Sequence, residues 1–431
     1  MKNQRKRIER LVSPQIKSLL NTFGGIVIEG PKWCGKTYQG VLFSKSHCYI
    51  QENYNQYKEI IDYDIRKSVI FNGEFPRLID EWQMLPSIWD KVRFIIDSNL
   101  NESGQFILTG STNANRNKIF HSGAGRLASI KMSTLTVFEI LNNQEDEFIS
   151  LNDLFENTSN FKLIYSKYGL EWIAKHLIKG GWPSIYSQET EVKTNNSVAK
   201  NYIETLLNVN ENYINLGVKI DVLSDVLKSI SRLNSSQINE STILRDFQNQ
   251  ISKNTLYKYI NVIEMLYITE TLESWSMNVR SKTRITTKPK TYFCDPSIGL
   301  SLLNVNSYQH LFNDIRLFGV YFENQVIKDL KVYAQSIGAK LYFYRDQNGF
   351  EIDAIIQHSD GRWAPIEIKL TNANEEAINQ SAKRLLSLEN KIQTDYGLNA
   401  KPSFYMIIVG SEYSLKRDDG VMIVPFTVLK P

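Results

Sequence analysis

Residues Gly30-Pro31-Lys32-Trp33-Cys34-Gly35-Lys36-Thr37 follow directly on the apolar run Phe23-Gly24-Gly25-Ile26-Val27-Ile28-Glu29. A short apolar run with turn residues after it reads as a buried strand, and the octet that follows has the spacing GxxxxGKT. Glycine at both ends lets successive backbone N–H groups curl around phosphate oxygens. Lys36 can then reach the β and γ phosphates, and Thr37 can ligate Mg²⁺ where the next helix begins. A glycine turn before a solvated surface helix would need only part of this pattern, whereas strand, spacing and Gly-Lys-Thr here agree. The feature commits the N-terminal part to an α/β fold and makes ATP or GTP the expected ligand, held by residues 30–37.

The second half of such a site belongs on another strand of the same sheet, and Pro76-Arg77-Leu78-Ile79-Asp80-Glu81 supplies it. Asp80 is expected to hold Mg²⁺ and Glu81 to polarise the attacking water, because adjacent side chains at a strand end point in different directions. This pairing suggests hydrolysis rather than passive binding. A third strand, Gln105-Phe106-Ile107-Leu108-Thr109-Gly110-Ser111, ends in small polar residues, so Ser111 or Asn113 can contact the γ phosphate or orient the water. A polar turn that only stops the strand would look similar. Downstream, Arg116 and Arg126 are candidates for neutralising developing phosphate charge, with Arg126 preferred, in cis or from a neighbouring subunit. A surface arginine beside an acid is the competing reading.

These segments, followed by Ser133-Thr134-Leu135-Thr136-Val137-Phe138-Glu139, resemble the prokaryotic AAA-type ATPases that carry a C-terminal domain of unknown function numbered 4143. The resemblance extends over most of the chain. It implies an ATPase core (1–140), a helical lid or connector (141–200), a winged-helix-like domain (201–293) and a C-terminal domain resembling the restriction-endonuclease fold (294–431). Lys36, Thr37, Asp80 and Glu81 match the family's nucleotide residues.

With 431 residues, 42% apolar and 22% charged, the chain suits several folded domains rather than one core or a disordered polymer. A net charge of +4 is too mild to identify a partner, and distribution says more. Cys34, Cys48 and Cys294 are isolated, which fits reduced thiols in cytoplasm, although Cys34 inside the phosphate loop is a candidate for oxidation or alkylation. No apolar run has the length of a membrane span, and the basic stretch from Lys2 to Arg10 is not followed by a signal-peptide core. That stretch reads as a charged tail ahead of a short helix.

Ser252 to Ile263 reads as the second helix of a helix-turn-helix, with Lys253, Asn254, Tyr257 and Lys258 as groove-facing candidates. Ile268 to Trp275 and Lys290 to Phe293 can form wing strands. Between them lie Arg280, Lys282, Arg284, Lys288 and Lys290 with no acid, a concentration able to meet DNA phosphates without reading sequence. Winged helices also join protein domains, so DNA and a protein partner both stand. A trans-acting arginine would add a second copy of the chain.

In the C-terminal part Glu323 lies near the start of a helix, Asp353 on a strand, and Glu367-x-Lys369 on its neighbour. Period two puts Glu367 and Lys369 on one face while Ile366 and Ile368 enter the core. Asp353 and Glu367, supported by Glu323, can bind a second Mg²⁺ or a Mn²⁺, with Lys369 serving the phosphate; the set resembles the PD-(D/E)xK nucleases. Gln380 on the following helix is peripheral. The same fold also serves as a binding or assembly module, so cleavage is not implied.

Overall fold

The computed structural model describes residues 8–61, 68–99, 102–110, 123–142, 146–186, 197–208, 217–248, 250–278, 287–396 and 401–431. The protein is a mixed α/β structure. The strands β1 (Gly25–Glu29), β2 (Ser46–Tyr49), β3 (Arg77–Asp80), β4 (Phe106–Gly110) and β5 (Leu127–Lys131) form a fully parallel sheet in the order β2-β3-β4-β1-β5. Parallel strands covered on both faces are apolar throughout, and β1 shows how the two faces are served. Ile26 and Ile28 pack beneath the helix α1 (Ser13–Thr22), whereas Val27 joins Ile79, Leu108 and the helix α2 (Ser87–Ser98) on the other side. This arrangement puts the C-terminal ends of β1, β3 and β4 side by side, where Gly30, Asp80 and Gly110 meet.

The middle of the chain is helical: α3 (Ser197–Asn208), α4 (Ile220–Arg232), α5 (Glu240–Asp246) and α6 (Lys253–Met265) share one core with Trp182 and Ile185. Leu223, Val226, Leu227 and Ile230 form the buried stripe of α4 at helical spacing. Three short strands complete the region, with Lys290–Phe293 antiparallel to both Thr269–Leu272 and Ser236–Gln237.

The C-terminal sheet has six strands. Numbering on from the first sheet, they are β6 (Ala339–Arg345), β7 (Glu351–His358), β8 (Trp363–Lys369), β9 (Met406–Val409), β10 (Leu415–Lys416) and β11 (Met422–Pro425), in the spatial order β6-β7-β8-β9-β11-β10. β6, β7 and β8 are antiparallel, while β8, β9 and β11 are parallel. The helix α7 (Ile315–Ser336) covers one face through Phe318, Phe322, Val326 and Leu330, and α8 (Glu375–Tyr396) covers the other through Ile378, Leu385 and Ile392.

The expected separate connector at 141–200 needs correction. Ile149, Leu151, Leu154, Phe155, Ile173 and Leu177 all enter the C-terminal core, and Ile149–Ser150 pairs in parallel with Leu429–Lys430. The apolar faces of these short helices are buried against α7 and the C-terminal strands rather than forming a free-standing lid. At Gly180-Gly181-Trp182 the Gly181 N–H donates to Asp295 Oδ2 at 2.8 Å, and Trp182 Nε1 donates to Ser297 at 3.1 Å. No helix among the described residues is long and apolar enough to cross a membrane.

Candidate nucleotide site and the C-terminal charge cluster

The phosphate loop leaves β1 in a conformation that requires glycine at its ends. Gly30 has φ 148° and its Cα abuts the Met132 carbonyl, where any Cβ would collide. Gly35 has φ 99° and starts the helix Lys36–Phe43. Lys36 is buried and donates from Nζ to the carbonyls of Gly30 (2.9 Å) and Pro31 (2.6 Å). Its ammonium thus lies across the mouth of the loop that its own motif defines. Lys32 is half-buried. Trp33 has φ 64°, is 48% exposed, and meets the Tyr202 ring of α3 edge-on at 5.7 Å. Cys34, the candidate for oxidation or alkylation, is fully buried with Sγ against the Met132 carbonyl at 3.7 Å, as a packed structural thiol would be.

Thr37 donates its hydroxyl to Asp80 Oδ1 at 2.9 Å, and Thr109 at the end of β4 donates to the same oxygen. Burial holds the Asp80 carboxyl above the usual range, and the two hydroxyls offset only part of that. A hydroxyl and a carboxylate in contact beside a buried lysine form a donor set suited to Mg²⁺ and phosphate. Glu81 adopts φ 55°, which turns its side chain out of the strand direction, and Gln83 donates its amide to the Glu81 carboxylate. Gly110, ending β4, lies against the Gln83 side chain. Gln83 therefore spans from Glu81 to the third strand, a role that no spacing in the sequence announces. Ser111, Asn113 and Arg116 lie outside the described residues.

Arg10 and Glu139 also belong to this site. Arg10 Nη1 donates to the Cys34 carbonyl at 2.8 Å, Nη2 to the Ser133 carbonyl at 2.7 Å, and Nε to Glu139 at 3.0 Å. Glu139 accepts in addition from the N–H groups of Leu11 and Thr136 and forms a capping box with Thr136. The guanidinium that the sequence presents as part of a charged tail is a buried brace under the phosphate loop.

Arg126 requires correction as a cis residue. Its carbonyl accepts from the Gly25 N–H, at the N-terminal end of β1, whereas the phosphate loop leaves the C-terminal end. At about 3.3 Å per residue the separation is roughly 20 Å, beyond an arginine's reach. Its side chain pairs with Asp97 at 2.8 Å.

A family profile described as an AAA domain matches residues 23–141, and one described as domain of unknown function DUF4143 matches 318–429. The chain belongs to the AAA-type ATPase family with a C-terminal DUF4143 domain. A third profile, domain of unknown function DUF8612, matches residues 170–309. Among solved structures the chain is similar to the Walker-type ATPase PABY2304 of Pyrococcus abyssi, at 13% identity and a TM-score of 0.41 over 70% of this chain and 97% of that one. It is also similar to a RuvB variant of Thermotoga maritima, at 13% identity and a TM-score of 0.27 over 60% and 88% of the two chains. No curated protein sequence matches.

In the DUF4143 domain the structure brings Asp353, Glu367, Lys369 and Glu323 into one cluster, but each acid already has a cation. Lys369 Nζ lies 3.4 Å from Asp353 and 3.0 Å from Glu367, and Arg384 reaches Glu367 at 2.6 Å. Lys290 Nζ lies 3.6 Å from Glu323 and 2.5 Å from Glu351. Burial pushes Glu323 up to about 7 despite Lys290, and burial also raises Glu367. Burial acts the same way on Asp353, yet Lys369 and Lys290 outweigh it and hold that carboxyl low. Among the described residues no group of three or more His, Cys, Asp or Glu side chains is placed to hold a metal. The expected second Mg²⁺ or Mn²⁺ site does not fit these residues.

Lys253, Asn254, Tyr257 and Lys258 share the exposed face of α6. Tyr257 donates to Glu240 at 2.8 Å, and Lys258 donates to the Gly217 carbonyl at 2.8 Å. Lys288 pairs with Glu240 at 2.7 Å, and this hydrogen bond pulls the Glu240 carboxyl down to about 2. Lys290, grouped by sequence with the exposed cations, is only 5% exposed and faces inward, because period two along its strand sends it to the same side as Tyr292. Arg280, Lys282 and Arg284 lie outside the described residues.

Proposed function

We propose that the chain binds ATP with Mg²⁺ at residues 30–37 and hydrolyses it, using the cycle to reorient a DNA-contacting surface of the middle region. The observation that carries this reading is the 2.9 Å Thr37–Asp80 contact beside the buried Lys36 at the mouth of the loop. Thr37 and Asp80 would hold Mg²⁺, which when bound would supply charge neutralisation at the phosphates. Lys36 exchanges its two loop carbonyls for phosphate oxygens, and the Glu81 carboxylate accepts a proton from the attacking water while Gln83 fixes its orientation.

Two contact paths support the coupling. Trp33 touches Tyr202, which packs on Trp182 at 4.8 Å, so a change in the loop reaches the helical middle region. Arg10 ties the loop to Glu139, next to which the Val137 N–H donates to Asp329 on α7 at 2.7 Å. The cation-filled cluster of the DUF4143 domain favours a binding or scaffold role for that domain over a nuclease one.

A titration of duplex DNA at several salt concentrations, with and without Mg-ATP, tests the partner. Replacing Arg280, Lys282, Arg284 and Lys288 together by Gln should weaken binding and flatten the log–log salt slope by about 0.9 for each phosphate that is no longer neutralised. Affinity and slope equal to wild type would hand the surface to a protein partner.

A further inference from the structure

We infer that the acidic cluster of the DUF4143 domain is an interdomain charge latch, closed by Lys290 from the middle region, and not a seat for a divalent metal. This goes beyond the proposed ATPase cycle and does not depend on it. Lys290 and Tyr292 alternate along one strand of the middle three-stranded sheet and therefore face the same side. Both reach Glu323 on α7: Tyr292 donates its hydroxyl at 2.9 Å and Lys290 stands at 3.6 Å. Lys290 also contacts Glu351 on β7 at 2.5 Å, and its ammonium sits 5.5 Å above the Phe343 ring of β6. The next residue fixes the backbone as well, because Phe293 exchanges its N–H and carbonyl with the Asn324 side chain at 3.0 and 2.9 Å.

Four acidic and four basic side chains meet at this joint. Glu323, Glu351, Asp353 and Glu367 face Lys290, Arg345, Lys369 and Arg384, with Arg345 at 3.4 Å from Glu351. A divalent ion entering such a cluster would have to displace cations that already satisfy the carboxylates, and Lys290, only 5% exposed, would then be buried without a partner. Removing Lys290 has the reverse effect and leaves Glu323 and Glu351 facing one another. Of the acids that spell a metal-site pattern in the sequence, Glu323 thus joins Glu351 in fastening the strand that follows residues 280–288 onto α7 and the C-terminal sheet.

The test uses the full chain without nucleotide, so its failure is separable from failure of the ATPase reading. Thermal unfolding is recorded for wild type, Lys290→Met, Lys290→Glu and the exchange Lys290→Glu with Glu351→Lys, and each is titrated with Mn²⁺ by calorimetry. Under the latch, wild type shows no saturable Mn²⁺ binding at the cluster. Both single variants melt earlier, Lys290→Glu the more so, and the exchange recovers over half of the fall in melting temperature. Saturable Mn²⁺ binding by wild type that disappears in Glu323→Gln would overturn the inference, as would an exchange variant no better than Lys290→Glu. If the Lys290 variants do not fold, the wild-type and Glu323→Gln titrations still decide the matter.

Discussion

Replacing Arg10 by Met removes a guanidinium that is 6% exposed and holds three acceptors, among them the Glu139 carboxylate, which is 2% exposed. Breaking a buried pair from one side costs about 3–5 kcal/mol. Glu139 keeps the N–H groups of Leu11 and Thr136, so its charge is not abandoned, and the low end of about 3 kcal/mol applies. For a unit of ordinary domain size this lowers the melting temperature by about 6–12 °C. The Cys34 carbonyl is also left without its donor, which loosens the phosphate loop and weakens ATP binding. Arg10→Lys keeps the charge but cannot address three acceptors at once, and should fall between wild type and Arg10→Met. Differential scanning calorimetry together with ATP titration checks both effects. A melting temperature within about 2 °C of wild type, with ATP affinity intact, would refute the brace.

Asp80→Asn should raise the melting temperature of the nucleotide-free protein near neutral pH while abolishing Mg²⁺-dependent turnover. Burial raises the Asp80 pKa in the folded state, so its contribution to stability is complete below the unfolded value of about 4 and is lost as pH rises through the folded value. A thermal scan against pH for both proteins measures this, and a variant less stable than wild type at neutral pH contradicts it. Arg126→Ala should leave ATP affinity unchanged and cost no more than the partly exposed pair with Asp97, about 0–1 kcal/mol. Loss of ATP affinity by that variant in a calorimetric titration would restore Arg126 to the cis site.

The layout of the proposed nucleotide site was legible in the sequence because its parts are local: residues 30–37 are contiguous, and Asp80 follows an apolar strand whose end lies beside theirs in a parallel sheet. Arg10, Glu139 and Gln83 were not legible as site residues, since each acts through a contact that depends on how distant segments pack. Thr136-x-x-Glu139 did carry a capping-box signature, but nothing in it points to Arg10 across 129 positions. Lys290 shows the opposite limit. Its neighbours in the sequence are cations, and only the strand period combined with the sheet's docking onto α7 turns it inward. The 141–200 segment misled for a related reason, because amphipathic helices state that they bury a face without saying against which domain.

Calorimetric titration with Mg-ATP combined with steady-state phosphate release, applied to wild type, Lys36→Ala and Glu81→Gln, addresses the central claim most directly. Wild type should bind ATP and release phosphate, and Lys36→Ala should bind none. Glu81→Gln should bind as wild type does while turning over at least about a hundredfold more slowly, because its carboxylate acts in the transition state rather than in binding. Equal loss of binding in both variants, or a folded wild type that takes up no nucleotide at millimolar Mg-ATP, would contradict the account.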